Sequence, residues 1–183
     1  MLDTRSSSYP DDRGVVYSAR KGQRPFAVPS LAHYASVAGE ESIERLQRIA
    51  SHLQGMSLLE LNSSAKGGGV AEMLFSSIPL LDQLGIDVEW MVISGSKEYF
   101  EATKTLHNFL QGMPGSFTPS MEETYLGSIE QCAYDYSGQC GHEVVLVHDP
   151  QPFGLGHYLR AYGQSWLWRC HIDIDEDTIR RNP

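Results

Sequence analysis

The sequence has no excess of basic residues. Its 183 residues include 14 Lys and Arg against 23 Asp and Glu, which gives a net charge of -9 with histidine neutral. Proteins that bind nucleic acid or anionic membranes without sequence specificity use a basic surface that displaces counterions. We therefore expect neither nucleic acid nor a membrane among the partners of this chain.

Cysteines and long apolar runs are also scarce. The three cysteines are odd in number and form no Cys-x-x-Cys pair, which predicts neither a disulfide framework nor a cysteine-based zinc site. No apolar run approaches the roughly 20 residues that span a bilayer, and residues 1–14 lack the apolar segment of a signal peptide. These absences predict a reduced, cytoplasmic setting.

Apolar residues are plentiful enough to form the core of one domain. They make up 41% of the chain, and domains commonly run to roughly 100–200 residues. Residues 1–29 are rich in Ser, Pro, Asp, Arg and Gly, which predicts an extended arm with at most one short strand, around 15–17. Residues 30–183 are predicted to form a single folded domain.

Within that domain, short apolar runs typical of strands alternate with stretches of helical spacing. Strands are predicted at 57–62, 86–93, 144–147 and 166–170, and helices at 31–38, 41–53, 70–84, 97–110, 121–136 and 153–162. This alternation predicts an α/β fold, a Rossmann-like parallel sheet with helices on both faces. Ligands of such sheets bind beyond the carboxyl ends of the strands.

The first polar cluster follows the strand predicted at 57–62. Three consecutive glycines, Gly67, Gly68 and Gly69, let the backbone approach a ligand closely, and the helix that follows offers unpaired N–H groups to an anion. Glu72 replaces the third glycine of a dinucleotide fingerprint, and no Gly-Lys-Ser/Thr of a P-loop follows. The cluster therefore predicts a phosphate-approach loop of another kind, with a flexible tight turn as the alternative.

The second cluster, His-Asp-Pro-Gln-Pro, begins directly after the strand predicted at 144–147. The two prolines fix the backbone and orient the polar side chains of His148, Asp149 and Gln151. A purely structural turn, in which Asp149 bonds its own backbone, is the alternative.

The third cluster, Arg-Cys-His-Ile-Asp, ends the strand predicted at 166–170. Alternation along a continuing strand places Arg169, His171 and Asp173 on one side. Together with Asp149, these His and Asp residues at the strand ends of one parallel sheet indicate a functional site.

In this order the three clusters resemble retaining family-4 glycosyltransferases of the trehalose synthase type. The matching stretches lie at 62–73, 105–112, 147–152 and 166–173, within a resemblance that runs from 31 to 173. It implies a GT-B enzyme with two Rossmann-like lobes, of which this chain is the N-terminal, acceptor-side lobe. The implied reaction moves glucose from a nucleoside diphosphate glucose, the co-substrate, to glucose as acceptor, giving trehalose. No metal or other cofactor is implied, because protein cations and helix N-termini neutralise the leaving diphosphate.

The resemblance also implies a role for each matching residue. Asp149 and His171 would be catalytic: Asp149 would accept hydrogen bonds from sugar hydroxyls near the anomeric centre, and His171 would hold the transferred glucose. The implied substrate-binding residues are Gly67, Gly68, Gly69, His148, Gln151, Arg169 and Asp173.

The family has a second lobe of about the same size, which carries the donor-binding Arg and Lys and a pair of glutamates. That C-terminal donor-binding domain is absent from these 183 residues. Since proximity and charge stabilisation need it, we expect no appreciable transferase activity from this chain alone. A donor-binding domain or chain is the expected partner, and an exposed face between lobes would also favour a homo-oligomer.

Two other functions are compatible with the residues. A metal-dependent hydrolase could use His148, Asp149, His171 and Asp173 as nitrogen and oxygen ligands of a divalent cation. A non-catalytic sugar- or phosphate-binding module, or a subunit of a larger assembly, would need no second lobe.

Overall fold

Five strands and six α-helices make up the part of the chain that the computed structural model describes, which is residues 14–174 together with Asp177 and Arg180. The strands are β1 (Gly14–Ser18), β2 (Ser57–Asn62), β3 (Asp87–Val92), β4 (Val144–His148) and β5 (Ser165–Arg169). The helices are α1 (Leu31–Ala38), α2 (Glu40–Ala50), α3 (Gly69–Gln83), α4 (Lys97–Leu110), α5 (Pro119–Asp135) and α6 (Leu155–Leu159). The predicted strands and helices are confirmed with small shifts at their ends, except that α6 is half as long as the helix predicted over 153–162.

The five strands form one sheet in the order β1-β3-β2-β4-β5. Strands β2, β3, β4 and β5 are parallel to one another, which confirms the predicted parallel α/β sheet. The edge strand β1 is the exception, because it pairs with β3 in the antiparallel direction. An antiparallel edge strand on an otherwise parallel sheet is common in such folds.

Strand β1 is the short strand that the sequence predicted within the arm at 1–29. Its residues Val16 and Tyr17 are fully buried against the sheet. Residues 1–13 of the predicted arm lie outside the described part of the chain. Among the described residues, no helix is long and apolar enough to cross a membrane.

Helices cover both faces of the sheet, as predicted. On one face, Leu59 and Leu61 of β2 pack in a cluster with residues of α4, α5 and α6, such as Tyr99 and Ile129. On the other face, Leu58 packs in a second cluster with residues of α3 and β3. Because side chains alternate along a strand, Glu60 and Asn62 share the α3 face with Leu58, and this places two polar residues of a fully buried strand beside the start of α3.

Candidate functional site

A cavity of about 470 Å³ opens beyond the carboxyl ends of β2 and β4. Its walls come from the glycine loop, from α4, from the turn after β4 and from the segment after β5. The lining residues are Asn62, Ser63, Ser64, Gly67, Gly68, Gly69, Val70, His107, His148, Asp149, His171 and Ile172. This is the edge of a parallel sheet at which ligands bind, and the volume lies in the range of small-molecule sites.

A chain of three side chains leads from the interior of the sheet to this cavity. The Glu60 Oε2 atom lies 2.5 Å from His148 Nε2, and His148 Nδ1 lies 2.7 Å from His171 Nε2. Glu60 and His148 are 4% and 1% exposed, whereas His171 is half-buried at the cavity wall. The chain therefore connects a buried carboxylate to an imidazole that a ligand can reach.

The register of the sheet explains why these three residues meet. Glu60 of β2 stands opposite Leu146 of β4, so His148, two residues further along β4, is its diagonal neighbour on the same face. Diagonal neighbours in a sheet lie roughly 7–8 Å apart at the backbone, which is within reach of long side chains. His171 follows the end of β5, the neighbour of β4, and its ring meets that of His148 edge to edge, with ring centroids 5.0 Å apart and ring planes 24° apart.

Asp149 has an unusual backbone conformation at the mouth of the cavity. Its φ of +64° lies in the left-handed region, where it is the sole residue other than glycine among those described. Three hydrogen bonds to the end of β5 hold it there: its N–H donates to the Arg169 carbonyl at 3.0 Å, its carbonyl accepts from Trp168 Nε1 at 3.0 Å, and its Oδ1 accepts from the His171 N–H at 2.8 Å. Strained backbone of this kind concentrates at functional sites.

The glycine loop forms the wall of the cavity at the N-terminus of α3. Gly67 and Gly68 have φ values of +66° and +94°, and Gly68 caps the helix without a side-chain hydrogen bond. The base of the loop is fixed by Asn62, whose Nδ2 donates to the Ser64 carbonyl at 2.7 Å and whose Oδ1 accepts from Trp90 Nε1 at 2.9 Å. The loop is therefore held at its root while its glycines leave open space for a ligand.

Alanine substitutions should show which of these glycines the backbone conformation requires. Gly67→Ala and Gly68→Ala should each lower the free energy of unfolding by about 1–2 kcal/mol, because an L-residue in the left-handed region is strained. Gly69→Ala is the matched control, since Gly69 lies outside that region, and helix propensity should make it neutral or stabilising by up to about 1 kcal/mol. Urea denaturation of the three variants measures the difference, and an equal loss in all three would contradict it.

Burial sets the protonation of His171. Desolvation lowers the pKa of His171 below its usual value, helped by the positive charge that His148 can carry and opposed by Asp149. Desolvation also lowers the pKa of His142, whose Nδ1 atom is buried without a hydrogen-bond partner among the described residues. Both rings therefore favour the neutral form in the folded state.

The stability of the fold should fall with pH on the acidic side of the ordinary histidine pKa, about 6.5. Because the folded pKa values of His171 and His142 are lowered, below that pH the unfolded chain binds protons that the folded chain does not. Each histidine then removes up to about 1.4 kcal/mol of stability per pH unit until its folded pKa is passed. Urea denaturation at a series of pH values should show this slope, and the double variant His142→Asn/His171→Asn should flatten it. An unchanged slope in the double variant would refute the assignment.

Six of the nine site residues predicted from the sequence meet in the cavity. They are Gly67, Gly68, Gly69, His148, Asp149 and His171. The described walls do not include the other three: Arg169 contributes its carbonyl to the Asp149 N–H, Asp173 is exposed, and the Gln151 carbonyl accepts from the Tyr99 hydroxyl at 2.5 Å. The alternation argument does not extend to His171 and Asp173, because β5 ends at Arg169.

Sequence reasoning did not identify Glu60 or His107 as parts of the site, and it placed Asn62 at the start of the first polar cluster without giving it a role. A signal for Glu60 was present, because a glutamate in the apolar run 57–62 must be paired if the strand is buried. His107 lies in the matching stretch 105–112, but its place on a predicted helix gave it no role. It reaches the cavity from α4, a position that depends on how this helix packs.

The hydrogen bonds of His148 argue against the metal-dependent hydrolase. Both of its ring nitrogens are engaged by protein atoms, Nε2 by Glu60 and Nδ1 by His171. A metal ligand needs a free ring nitrogen with its lone pair directed at the ion, and within the described residues no group of three His, Cys, Asp or Glu residues could hold a metal ion.

Known proteins resemble this chain over most of its length. A family described as "Trehalose synthase, N-terminal domain" matches residues 60–182. The chain is 43% identical over 152 residues to the trehalose synthase of Pyrococcus horikoshii, which covers 79% of this chain and 34% of that protein. It is 38% identical over 150 residues to the trehalose synthase of Thermococcus litoralis, covering 81% of this chain and 36% of that protein.

A more distant similarity extends to a second type of enzyme. The chain is 26% identical over 171 residues to the trehalose phosphorylase of Pleurotus pulmonarius, which covers 86% of this chain and 23% of that protein. This chain therefore spans about a third of the length of the trehalose synthases that it matches, and less of the phosphorylase.

Proposed function

Because the chain belongs to the family of trehalose synthase N-terminal domains, we propose that its cavity binds the glucose acceptor of a retaining transferase. In this reaction glucose moves from a nucleoside diphosphate glucose to the bound glucose, and trehalose is the product. The family supports a trehalose-related glycosyltransferase domain, and the donor, the acceptor and the two-lobed GT-B arrangement belong to the proposal.

Asp149 is the observation that carries this proposal. Its strained backbone and three hydrogen bonds hold a carboxylate at the cavity, and its Oδ2 atom makes no hydrogen bond to the described part of the chain. A sugar hydroxyl can donate to that oxygen. His171 lies beside it, so a carboxylate and an imidazole face the same bound ring.

The glycine loop is proposed to face the diphosphate of the donor. Gly67 and Gly68 leave room for close approach, and the first N–H groups of α3 are available to an anion. The cationic side chains that neutralise the leaving diphosphate, and the contacts to the base, would come from a donor-binding lobe. We therefore expect the 183-residue chain to bind sugar but to lack appreciable transferase activity.

Calorimetric titration of the 183-residue chain with glucose and with trehalose tests the acceptor site. Saturable binding of either sugar, competitive between the two, is the expected result, with galactose as the epimeric control that binds more weakly. Absence of binding by both sugars would remove the acceptor assignment. In a parallel assay, the chain is incubated with glucose and the glucose esters of UDP, ADP and GDP, and any trehalose formed would contradict the need for a second lobe.

A phosphorylase is the second candidate, favoured by the similarity to the fungal trehalose phosphorylase over 86% of the chain. Inorganic phosphate would then occupy the place of the nucleoside diphosphate at the glycine loop. Titration of the trehalose-loaded chain with phosphate and with nucleoside diphosphates separates the two, because the natural anion should bind the more tightly. A non-catalytic sugar-binding module would bind trehalose and neither anion.

A further inference from the structure

Glu60 is a carboxylate that the fold alone does not require. It lies in the middle of a strand whose six residues are all buried, between Leu59 and Leu61, and it is 4% exposed. Burying a carboxylate is costly unless it is paired and hydrogen-bonded, and an apolar residue would fill this position at no such cost. Among the described residues its side chain bonds to His148 alone, so its role is to be sought in what it does to that ring.

The hydrogen bonds leave one arrangement of protons when both imidazoles are neutral. An ionised carboxylate only accepts hydrogen bonds, so His148 must carry its proton on Nε2, 2.5 Å from Glu60. The His148 Nδ1 atom is then unprotonated and must accept, so His171 donates to it from Nε2. The neutral His171 ring is left with an unprotonated Nδ1 atom.

The opposite arrangement of protons is unfavourable at the buried contact between Glu60 and His148. If His148 carried its proton on Nδ1, the lone pair of Nε2 would face the Glu60 carboxylate at 2.5 Å with no hydrogen between them. Both side chains are almost completely shielded from water, since those of His148 and Glu60 are 1% and 6% exposed. Water therefore cannot relieve the repulsion, and the carboxylate fixes the direction of both hydrogen bonds between Glu60, His148 and His171.

We propose that Glu60 is a positioning residue which, through His148, keeps the proton of His171 on Nε2 and so makes His171 Nδ1 a hydrogen-bond acceptor for a sugar hydroxyl. Asp149 and His171 then act as two acceptors side by side, which suits a ligand that presents adjacent hydroxyl groups. The identity of the hydroxyl donor rests on the proposed function, whereas the position of the protons does not. The two can therefore fail separately.

Long-range ¹H–¹⁵N correlation spectra of the ¹⁵N-labelled 183-residue chain test the proton positions directly. They are recorded without sugar at about pH 8, above the ordinary pKa of histidine. The expected result is a protonated Nε2 and an unprotonated Nδ1 on His171. The reverse pattern in the unmodified chain would overturn the proposal, and this measurement needs no variant.

The variant Glu60→Leu should reverse the pattern. Without an acceptor, a proton on His148 Nε2 would be an unsatisfied buried donor, so we expect the proton of His148 on Nδ1 instead. His148 Nδ1 then donates a hydrogen bond to His171 Nε2, and the proton of His171 lies on its Nδ1 atom. The matched control is Glu89→Leu, which removes a second buried strand carboxylate, 6% exposed and 3.4 Å from Lys21, and should leave His171 unchanged. If His171 keeps a protonated Nε2 and an unprotonated Nδ1 in a folded Glu60→Leu chain, the proposal is wrong.

Addition of trehalose separates this inference from the proposed function. In the unmodified chain, a bound hydroxyl should shift the ¹⁵N resonance of His171 Nδ1 towards that of a hydrogen-bonded acceptor, and Glu60→Leu should abolish this shift. A chain with the expected proton pattern that binds no sugar would leave the positioning role of Glu60 standing and refute the acceptor site.

Discussion

Replacing Glu60 by alanine is expected to lower the free energy of unfolding by about 1.5–3 kcal/mol for the lost hydrogen bond of a charged group, with a further loss for the cavity that alanine leaves. The substitution leaves His148 without its acceptor at 2.5 Å and leaves a void in the fully buried strand β2. A domain of this kind is stable by about 5–15 kcal/mol in total, so the loss takes a large share of it. Urea denaturation followed by circular dichroism measures the change in the midpoint.

Two controls show whether the lost pair is the cause. Glu60→Leu refills most of the void and lets the proton of His148 relocate, so we expect it to cost about 1–2 kcal/mol, as a lost hydrogen bond does. Glu89→Ala removes a similarly buried carboxylate and leaves a similar void, but its partner, Lys21, is largely exposed and can be hydrated once the pair is lost, so it should cost less than Glu60→Ala. Equal losses from Glu60→Ala and Glu89→Ala would mean that the contact with His148 has no special weight.

Replacing Asp149 by asparagine is expected to weaken the binding of glucose or trehalose about 10- to 100-fold. A hydrogen bond to a charged group contributes about 1.5–3 kcal/mol, and each 1.4 kcal/mol is a factor of ten in affinity. The fold should tolerate the change, because asparagine also adopts positive φ and its Oδ1 can still accept from the His171 N–H, which now lies 2.8 Å from the carboxylate. Alanine lacks both properties, so asparagine is the cleaner probe of the charge.

Calorimetry of the Asp149→Asn variant measures this loss, with urea denaturation to show that stability changes by less than about 1 kcal/mol. Asp87→Asn serves as the control, because Asp87 begins β3 at the opposite edge of the sheet, where it pairs with Arg20. That variant should bind sugar as the unmodified chain does. Unchanged affinity in Asp149→Asn would mean that the strained carboxylate does not contact the sugar.

The elements and their order follow from local pattern, which explains how much of the fold was predictable. The apolar runs of β2, β3, β4 and β5 are bounded by polar and glycine-rich segments, and alternation with helices is enough to require a parallel sheet. Helix α4 was predicted at its observed ends, and in the structure Ser96 caps its first turn while Gly112 follows its last. The direction in which an edge strand pairs depends on contacts that are distant in sequence. The strand β1 was therefore predicted, but its antiparallel pairing with β3 was not.

The same division runs through the candidate site. Gly67, Gly68, His148, Asp149 and His171 stand out in the sequence because they end or follow strands, and the carboxyl ends of parallel strands lie at one edge of the sheet. Gln151 and Asp173 also follow these strands and Arg169 ends β5, yet none of the three lines the cavity. Which side of a turn a side chain occupies depends on torsion angles that no periodicity records.

By itself, the sequence determined the class of fold, the edge of the sheet that carries the site and the chemical types of the side chains there. Only the tertiary structure decided that Glu60 reaches His148, that His148 reaches His171, and that Asp149 has a left-handed backbone. The physical reason is that hydrogen bonds between residues 88 and 23 positions apart arise from strand register and side-chain packing. These are properties of the assembled sheet, and no local stretch of sequence contains them.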